Sequence, residues 1–169
     1  TKYEVGKEYP IYTRKKESLN ATEETLLDCN EMAKDFDYFS LGGFSVSPDN
    51  SLCIFSTDTF SRRQYTLGVK NLITGAILPD IIENTTGSAS WAEDSNTFFY
   101  ASKNEKTLRS EAIFRHQLGQ TSLDVKIFEE LDDTFITYVF KTKSKKYIVI
   151  GSSSTLTSEY YIFPANEPL

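Results

Sequence analysis

A four-residue apolar run that follows a polar turn recurs three times along the chain, and it constrains the fold more than any other feature. Ser47-Pro48-Asp49-Asn50 precedes Leu52-Cys53-Ile54-Phe55, Glu93-Asp94-Ser95-Asn96 precedes Thr97-Phe98-Phe99-Tyr100, and Lys143-Ser144-Lys145-Lys146 precedes Tyr147-Ile148-Val149-Ile150. The runs open at 52, 97 and 147, a period of 45 to 50 residues. Each turn is also preceded by an apolar stretch: Phe44-Ser45-Val46, Ala89-Ser90-Trp91 and Tyr138-Val139-Phe140. Turn residues between two apolar runs predict a short-looped hairpin. An unbroken apolar run predicts a strand buried on both faces, since a half-exposed strand alternates. The next segments do alternate. Tyr65, Leu67 and Val69 share one face, Asn71-Leu72-Ile73-Thr74-Gly75 is a turn, and Ala76-Ile77-Leu78 begins a fourth strand. The second unit repeats this with Ala112–His116, a turn at Leu118-Gly119-Gln120, and Val125–Phe128. Four strands per repeat of this length is the pattern of a β-propeller blade. A sandwich of short strands gives no reason for one inner-strand pattern to return three times.

The expected fold is therefore all-β, a partial β-propeller of about three four-stranded antiparallel blades. Residues 1–40 hold the end of one blade, with closing strands at Tyr9–Lys15 and Thr25–Asp28 and a helical turn near Asn30–Lys34. Residues 41–86 and 87–133 are expected to be complete blades. Residues 134–169 start another, from Ile136 to a third strand at Glu159–Phe163. Closed propellers need at least about four blades, and terminal repeats need caps, so the segment reads as part of a ring. It opens at Thr1 without Met or a charged-then-apolar leader, which is expected of a piece from a longer chain.

Composition removes several classes. The 169 residues include 12 Phe and 10 Tyr and carry a net charge of −6, which fits one globular segment and not a disordered one. No apolar run approaches the ~18 residues of a membrane span. A pI near 4.9 gives the wrong field for nucleic acid. Cys29 and Cys53 lack metal or redox spacing and read as small half-buried hydrophobes. His116 follows Arg115 with no acidic partner at a recognisable spacing, and reads as a strand or surface histidine. No GxSxG elbow, phosphate loop or dinucleotide fingerprint occurs. Asp35/Asp37 and Glu129-Glu130/Asp132-Asp133 read as solvated charge, as do Lys141, Lys143, Lys145 and Lys146 about a hairpin turn. Asn20-Ala21-Thr22 and Asn84-Thr85-Thr86 are sequons that matter only in a secreted chain. No catalytic residue, cofactor site or metal site is expected.

Several stretches resemble the N-terminal propeller of the prolyl oligopeptidase family of serine peptidases, in its oligopeptidase B (protease II) branch. They are Glu24–Asp28, Phe39-Ser40-Leu41-Gly42-Gly43, Ser47–Asn50, Ser61-Arg62-Arg63-Gln64-Tyr65, Asn71–Gly75, Trp91-Ala92-Glu93-Asp94, Phe114-Arg115-His116, Glu129-Glu130 and Thr157-Ser158-Glu159. The likeness runs over nearly the whole chain in the right order. It implies a parent enzyme in which a seven-bladed propeller covers a C-terminal α/β-hydrolase domain carrying a Ser, Asp and His triad. It implies cleavage of short peptides after Lys or Arg, with the propeller excluding folded proteins. None of the triad is present, so the segment alone is expected to be inert. A cytoplasmic location is implied, with the periplasm as the alternative.

One constellation is expected to carry function. In an antiparallel blade the loop between the second and third strands lies at the same end as the blade-to-blade connection. That places Arg62 and Arg63 on the same end as Glu83 and Asn84, where Arg62 and Glu83 are expected to form a charge-assisted pair. The resemblance implies that this end meets the hydrolase domain, so Arg62, Arg63 and Glu83 are candidate interdomain contacts that gate substrate access. The competing reading is an ordinary surface salt bridge. A stand-alone propeller serving as a protein-interaction scaffold is the alternative function. Exposed blade edges predict self-association.

Overall fold

The computed structural model describes residues 1–168. Twelve strands and one short helix follow one another: β1 (Ile11–Lys15), β2 (Glu23–Asp28), α1 (Cys29–Ala33), β3 (Ser40–Val46), β4 (Leu52–Asp58), β5 (Tyr65–Asn71), β6 (Ile82–Trp91), β7 (Thr97–Lys103), β8 (Ser110–Gln117), β9 (Val125–Glu129), β10 (Ile136–Lys141), β11 (Tyr147–Ser153) and β12 (Ser158–Pro164). All strand pairings named below are antiparallel. They form a two-stranded sheet β1-β2, a seven-stranded sheet running from β3 to β9 in order, and a three-stranded sheet β10-β11-β12.

The seven-stranded sheet is two blades joined through β6. Its first part runs beside β5, with Leu67 opposite Ile82 and Tyr65 opposite Thr85. Its last part runs beside β7, with Ala89 opposite Tyr100 and Trp91 opposite Phe98. The backbone is left-handed at Asn84 (φ 57°), in the register shift of the first part, and at Gly87 (φ 90°), where the strand bends between the two parts. Glycine suits the second position because a Cβ there would lie 2.9 Å from the Tyr65 ring. The same strand thus closes the blade of β3, β4 and β5 and opens the blade of β7, β8 and β9. The fourth strand expected at Ala76-Ile77-Leu78 is reduced to one bridge, Lys70 to Ile77, and the bent β6 completes that edge.

The doubly buried inner strands follow from stacking of blades face to face. Along β7, residues 97–101 are all buried. Phe98 and Tyr100 join Ile54, Leu67, Val69 and Trp91 on one side. Phe99 and Ala101 join Ile113, Val139, Ile148 and Ile150 on the other. Each seam between blades is therefore a core cluster, and each fully buried large apolar side chain contributes about 1.5–3 kcal/mol. A third cluster sets Leu26 and Leu27 of β2 against Cys53 of β4.

The hairpin turns repeat in atomic detail. Asn50, Ser95 and Lys145 occupy matching places with φ of 63°, 55° and 63°. Asp49 accepts from the Ser51 amide at 3.0 Å, and Asp94 accepts from the amides of Asn96 and Thr97 at 2.9 and 2.8 Å. Acceptor side chains of this kind stabilise tight turns by mimicking a backbone bond. Asp28 caps α1, accepting from Asn30 N and Glu31 N, and the helix leads the chain from β2 of the two-stranded sheet to β3 of the seven-stranded one.

Candidate functional site

The loop between β4 and β5 is built on one buried carboxylate. Asp58, 1% exposed, accepts from the amide of Phe60 at 2.9 Å and from that of Arg63 at 2.7 Å. Ser61 and Arg63 take left-handed backbone, φ 58° and 54°, and the Lys103 ammonium donates to the Arg63 carbonyl. Burial, and then the charge of Arg63, hold that ammonium below the usual lysine range. Arg62 and Arg63 are exposed at the tip, as is Glu83 near the start of β6.

These groups do share one end of the molecule. Gln64 donates to Asn84 at 3.4 Å, and Asn84 donates to Glu105 at 3.3 Å. That chain links the β4–β5 loop, the first part of β6 and the β7–β8 loop. Among the described residues, however, Arg62, Arg63 and Glu83 form no ion pair with one another or with any other side chain. The expected Arg62–Glu83 pair is not closed within this chain, and three charges at that end stand without an internal partner.

A second cluster was not expected from the sequence. His116 lies in strand β8, as one of its two readings has it, but it is buried and has two acidic partners. Its Nε2 lies 3.0 Å from Asp80 Oδ1 and its Nδ1 lies 2.7 Å from Asp124 Oδ1. The Gly119 amide and the Tyr100 hydroxyl add bonds of 2.7 Å to Asp80 and Asp124 respectively. Burial, reinforced by the bond to Asp124, pushes the Tyr100 phenol above its usual range. Both ring nitrogens are thus engaged at hydrogen-bonding distance by carboxylate oxygens. The ring also packs on Phe98, centroids 4.9 Å apart. Asp80 belongs to the connection leaving one blade, whereas His116, Tyr100 and Asp124 belong to the next, so the cluster fastens the seam between them. Sequence reasoning missed it because Asp80 is 36 residues from His116, a spacing that only blade stacking brings together.

The cluster borders an open cleft of about 930 Å³, which Glu83 also lines. Chemically it is a poor general base, since both ring nitrogens already face carboxylates. Among the described residues, no group of three His, Cys, Asp or Glu side chains is arranged to hold a metal ion. Cys29 and Cys53 are free and fully buried, deeper than half-buried, and burial pushes both thiols up to about 11. Of the acidic and basic groups read as solvated, Glu130 accepts from Ser152 and Lys141 pairs with Glu93; the other ends of these contacts lie on neighbouring blades.

Comparison with known proteins agrees with this architecture. The family profile described as "Prolyl oligopeptidase, N-terminal beta-propeller domain" matches residues 1–169. Dipeptidyl aminopeptidase BI of Pseudoxanthomonas mexicana is 36% identical over 183 residues, covering 99% of this chain and 25% of that protein. Protease 2 of Moraxella lacunata is 36% identical over 172 residues, covering 97% of this chain and 25% of the relative. Oligopeptidase B from Leishmania major superposes with a TM-score of 0.88 at 27% identity, covering 97% of this chain and 24% of that one. Oligopeptidase B from Trypanosoma brucei, in a closed form with covalently bound antipain, gives 0.84 at 26% identity, covering 97% and 23%. The chain spans about a quarter of the length of the relatives it matches. With blades, seams and profile in agreement along its length, the chain belongs to the prolyl oligopeptidase family and forms part of that family's N-terminal β-propeller.

Proposed function

We propose that this chain is the non-catalytic, gating part of a serine oligopeptidase that hydrolyses short peptides after Lys or Arg. The observation that carries the reading is the end-to-end match to the propeller of a peptidase family, together with relatives named as peptidases. The hydrolase domain is then the chain's partner, and the nucleophile lies there. His116, committed to Asp80 and Asp124, takes no part in the chemistry.

Arg62, Arg63 and Glu83 are proposed as interdomain contacts that bias an open and a closed arrangement. Two observations support this: the three charges form no ion pair among the described residues, and a relative of known structure is described as a closed form. Domain closure of this kind admits substrate and then completes the site. A cytoplasmic location belongs to the same proposal, and the free thiols of Cys29 and Cys53 are in keeping with a reducing compartment.

The test is hydrolysis of a short arginyl fluorogenic peptide by the full parent protein and by this 169-residue chain. An active parent beside an inert segment is expected. An inert parent would transfer the chain to the interaction-scaffold reading. Because one relative is named a dipeptidyl aminopeptidase, a substrate with a free N-terminal dipeptide should be run in parallel. In the active parent, Arg62→Glu is expected to change kcat/KM by roughly fivefold or more, the low end of typical coupling energies. Unchanged turnover in that variant removes the interdomain role of Arg62.

A further inference from the structure

We infer that Phe60 is the anchor by which this part of the propeller docks on the second, non-propeller domain of its parent polypeptide. The inference rests on the two-domain reading above and adds to it a residue and a mode of contact. Phe60 is 82% exposed, yet it does not sit on a slack loop. Asp58 spends both carboxylate oxygens on the amides of Phe60 and Arg63, and Lys103 fixes the Arg63 carbonyl. The loop thus holds an aromatic ring and an arginine outward in a set conformation. Aromatic and arginine side chains dominate binding energy at interfaces, and a pre-organised tip loses little entropy on docking.

The neighbouring loops at this end are built the same way. Asn104 accepts from the amides of Lys106 and Thr107, each at 3.0 Å, and Ser154 accepts from those of Leu156 and Thr157 at 3.4 and 3.3 Å. The loops present Leu108, 38% exposed, and Leu156, 93% exposed. Three stiffened tips therefore each offer one bulky apolar group, next to the unpaired charges of Arg62, Arg63 and Glu83. The opposite end also exposes apolar residues, Ile73 at 77% and Leu123 at 93%. Those two lie on loops leading to the outermost strands, and neither is accompanied by an aromatic–arginine pair. The occupant is the parent's own second domain, because the matched relatives are about four times the length of this chain.

The experiment places a photo-crosslinking residue in the full-length parent, as Phe60→p-benzoyl-phenylalanine, with Ile73→p-benzoyl-phenylalanine and Leu123→p-benzoyl-phenylalanine as controls. Position 60 is expected to give intramolecular links to the second domain, mapped by mass spectrometry, and positions 73 and 123 none. Links from position 60 that join two copies of the parent, or that stay within the propeller, overturn the inference. So do links to the second domain that arise equally from 73 or 123. Peptide hydrolysis by the wild-type parent, measured beside these, separates the two levels of the argument. An active parent without the position-60 link loses only this docking surface, whereas a parent with no hydrolase activity loses the underlying reading and the surface with it.

Discussion

At the scale of single residues, the most consequential side chain is His116, because it and both of its carboxylate partners are largely withdrawn from solvent. Side-chain exposures are 8% for His116, 5% for Asp80 and 14% for Asp124. Breaking a buried pair by removing one partner typically costs about 3–5 kcal/mol, since a charge is left uncompensated. His116→Ala is therefore expected to lower the stability of the chain by about 3 kcal/mol in urea unfolding, and Asp80→Ala in the same background should recover part of the loss. Additive costs in that cycle would show that the two side chains are not coupled. A milder effect belongs to Asp49. The Ser47 hydroxyl first, and then the Ser51 side chain and amide, hold its carboxyl down to about 2. A depressed carboxylate contributes stability that is full above the ordinary aspartate value of about 4 and is lost as pH falls towards 2. An NMR titration should place its midpoint near 2, and Ser47→Ala should move it upwards; a midpoint at the ordinary value would remove the Ser47 bond.

At the scale of elements, the strands were the legible part. An unbroken apolar run such as Phe98-Phe99-Tyr100 needs partners on both faces, and stacked blades supply them. Alternation through Tyr65, Leu67 and Val69 likewise locates a strand wherever the local period is 2. The short fourth strand at Ala76-Ile77-Leu78 was less legible, because its pairing is completed by β6, whose course depends on left-handed backbone at Asn84 and Gly87 rather than on any apolar pattern. Hairpin topology alone decides that the Arg62 loop and the Glu83 segment meet at one end, where Gln64 donates to Asn84. The roles of Asp58 and Asp80 were invisible, because each is defined by what folds over it. Asp58 also yields a prediction at this scale. Asp58→Ala would leave two loop amides without their acceptor, and an unsatisfied group of this kind costs about 1–3 kcal/mol. The loss should appear as faster amide hydrogen exchange confined to residues 59–64, with the blade seams unchanged. Unaltered exchange there would mean that the loop is held by other contacts.

At the scale of the whole molecule, the seams are satisfied and the flanks are not. Among the described residues, β12 has β11 on one side and no strand on the other. Its residues Tyr160, Tyr161 and Ile162 are 56%, 47% and 63% exposed. An edge that is both apolar and unpaired is a template for another chain, because its free N–H and C=O groups and its side chains favour the same partner. The inner strands β4, β7 and β11 show what the fold requires: a blade face is stable when a second blade lies against it. The 169-residue chain on its own is therefore expected to self-associate, with sedimentation coefficients in analytical ultracentrifugation that rise with concentration. Ile162→Lys, which sets a charge on the exposed edge, should shift the distribution towards monomer without lowering the urea midpoint, since that side chain is already in water. A monomer at every concentration would show that this edge does not recruit a second chain. Association that Ile162→Lys leaves intact would assign it to another surface, the first to examine being the tips at Phe60 and Leu156.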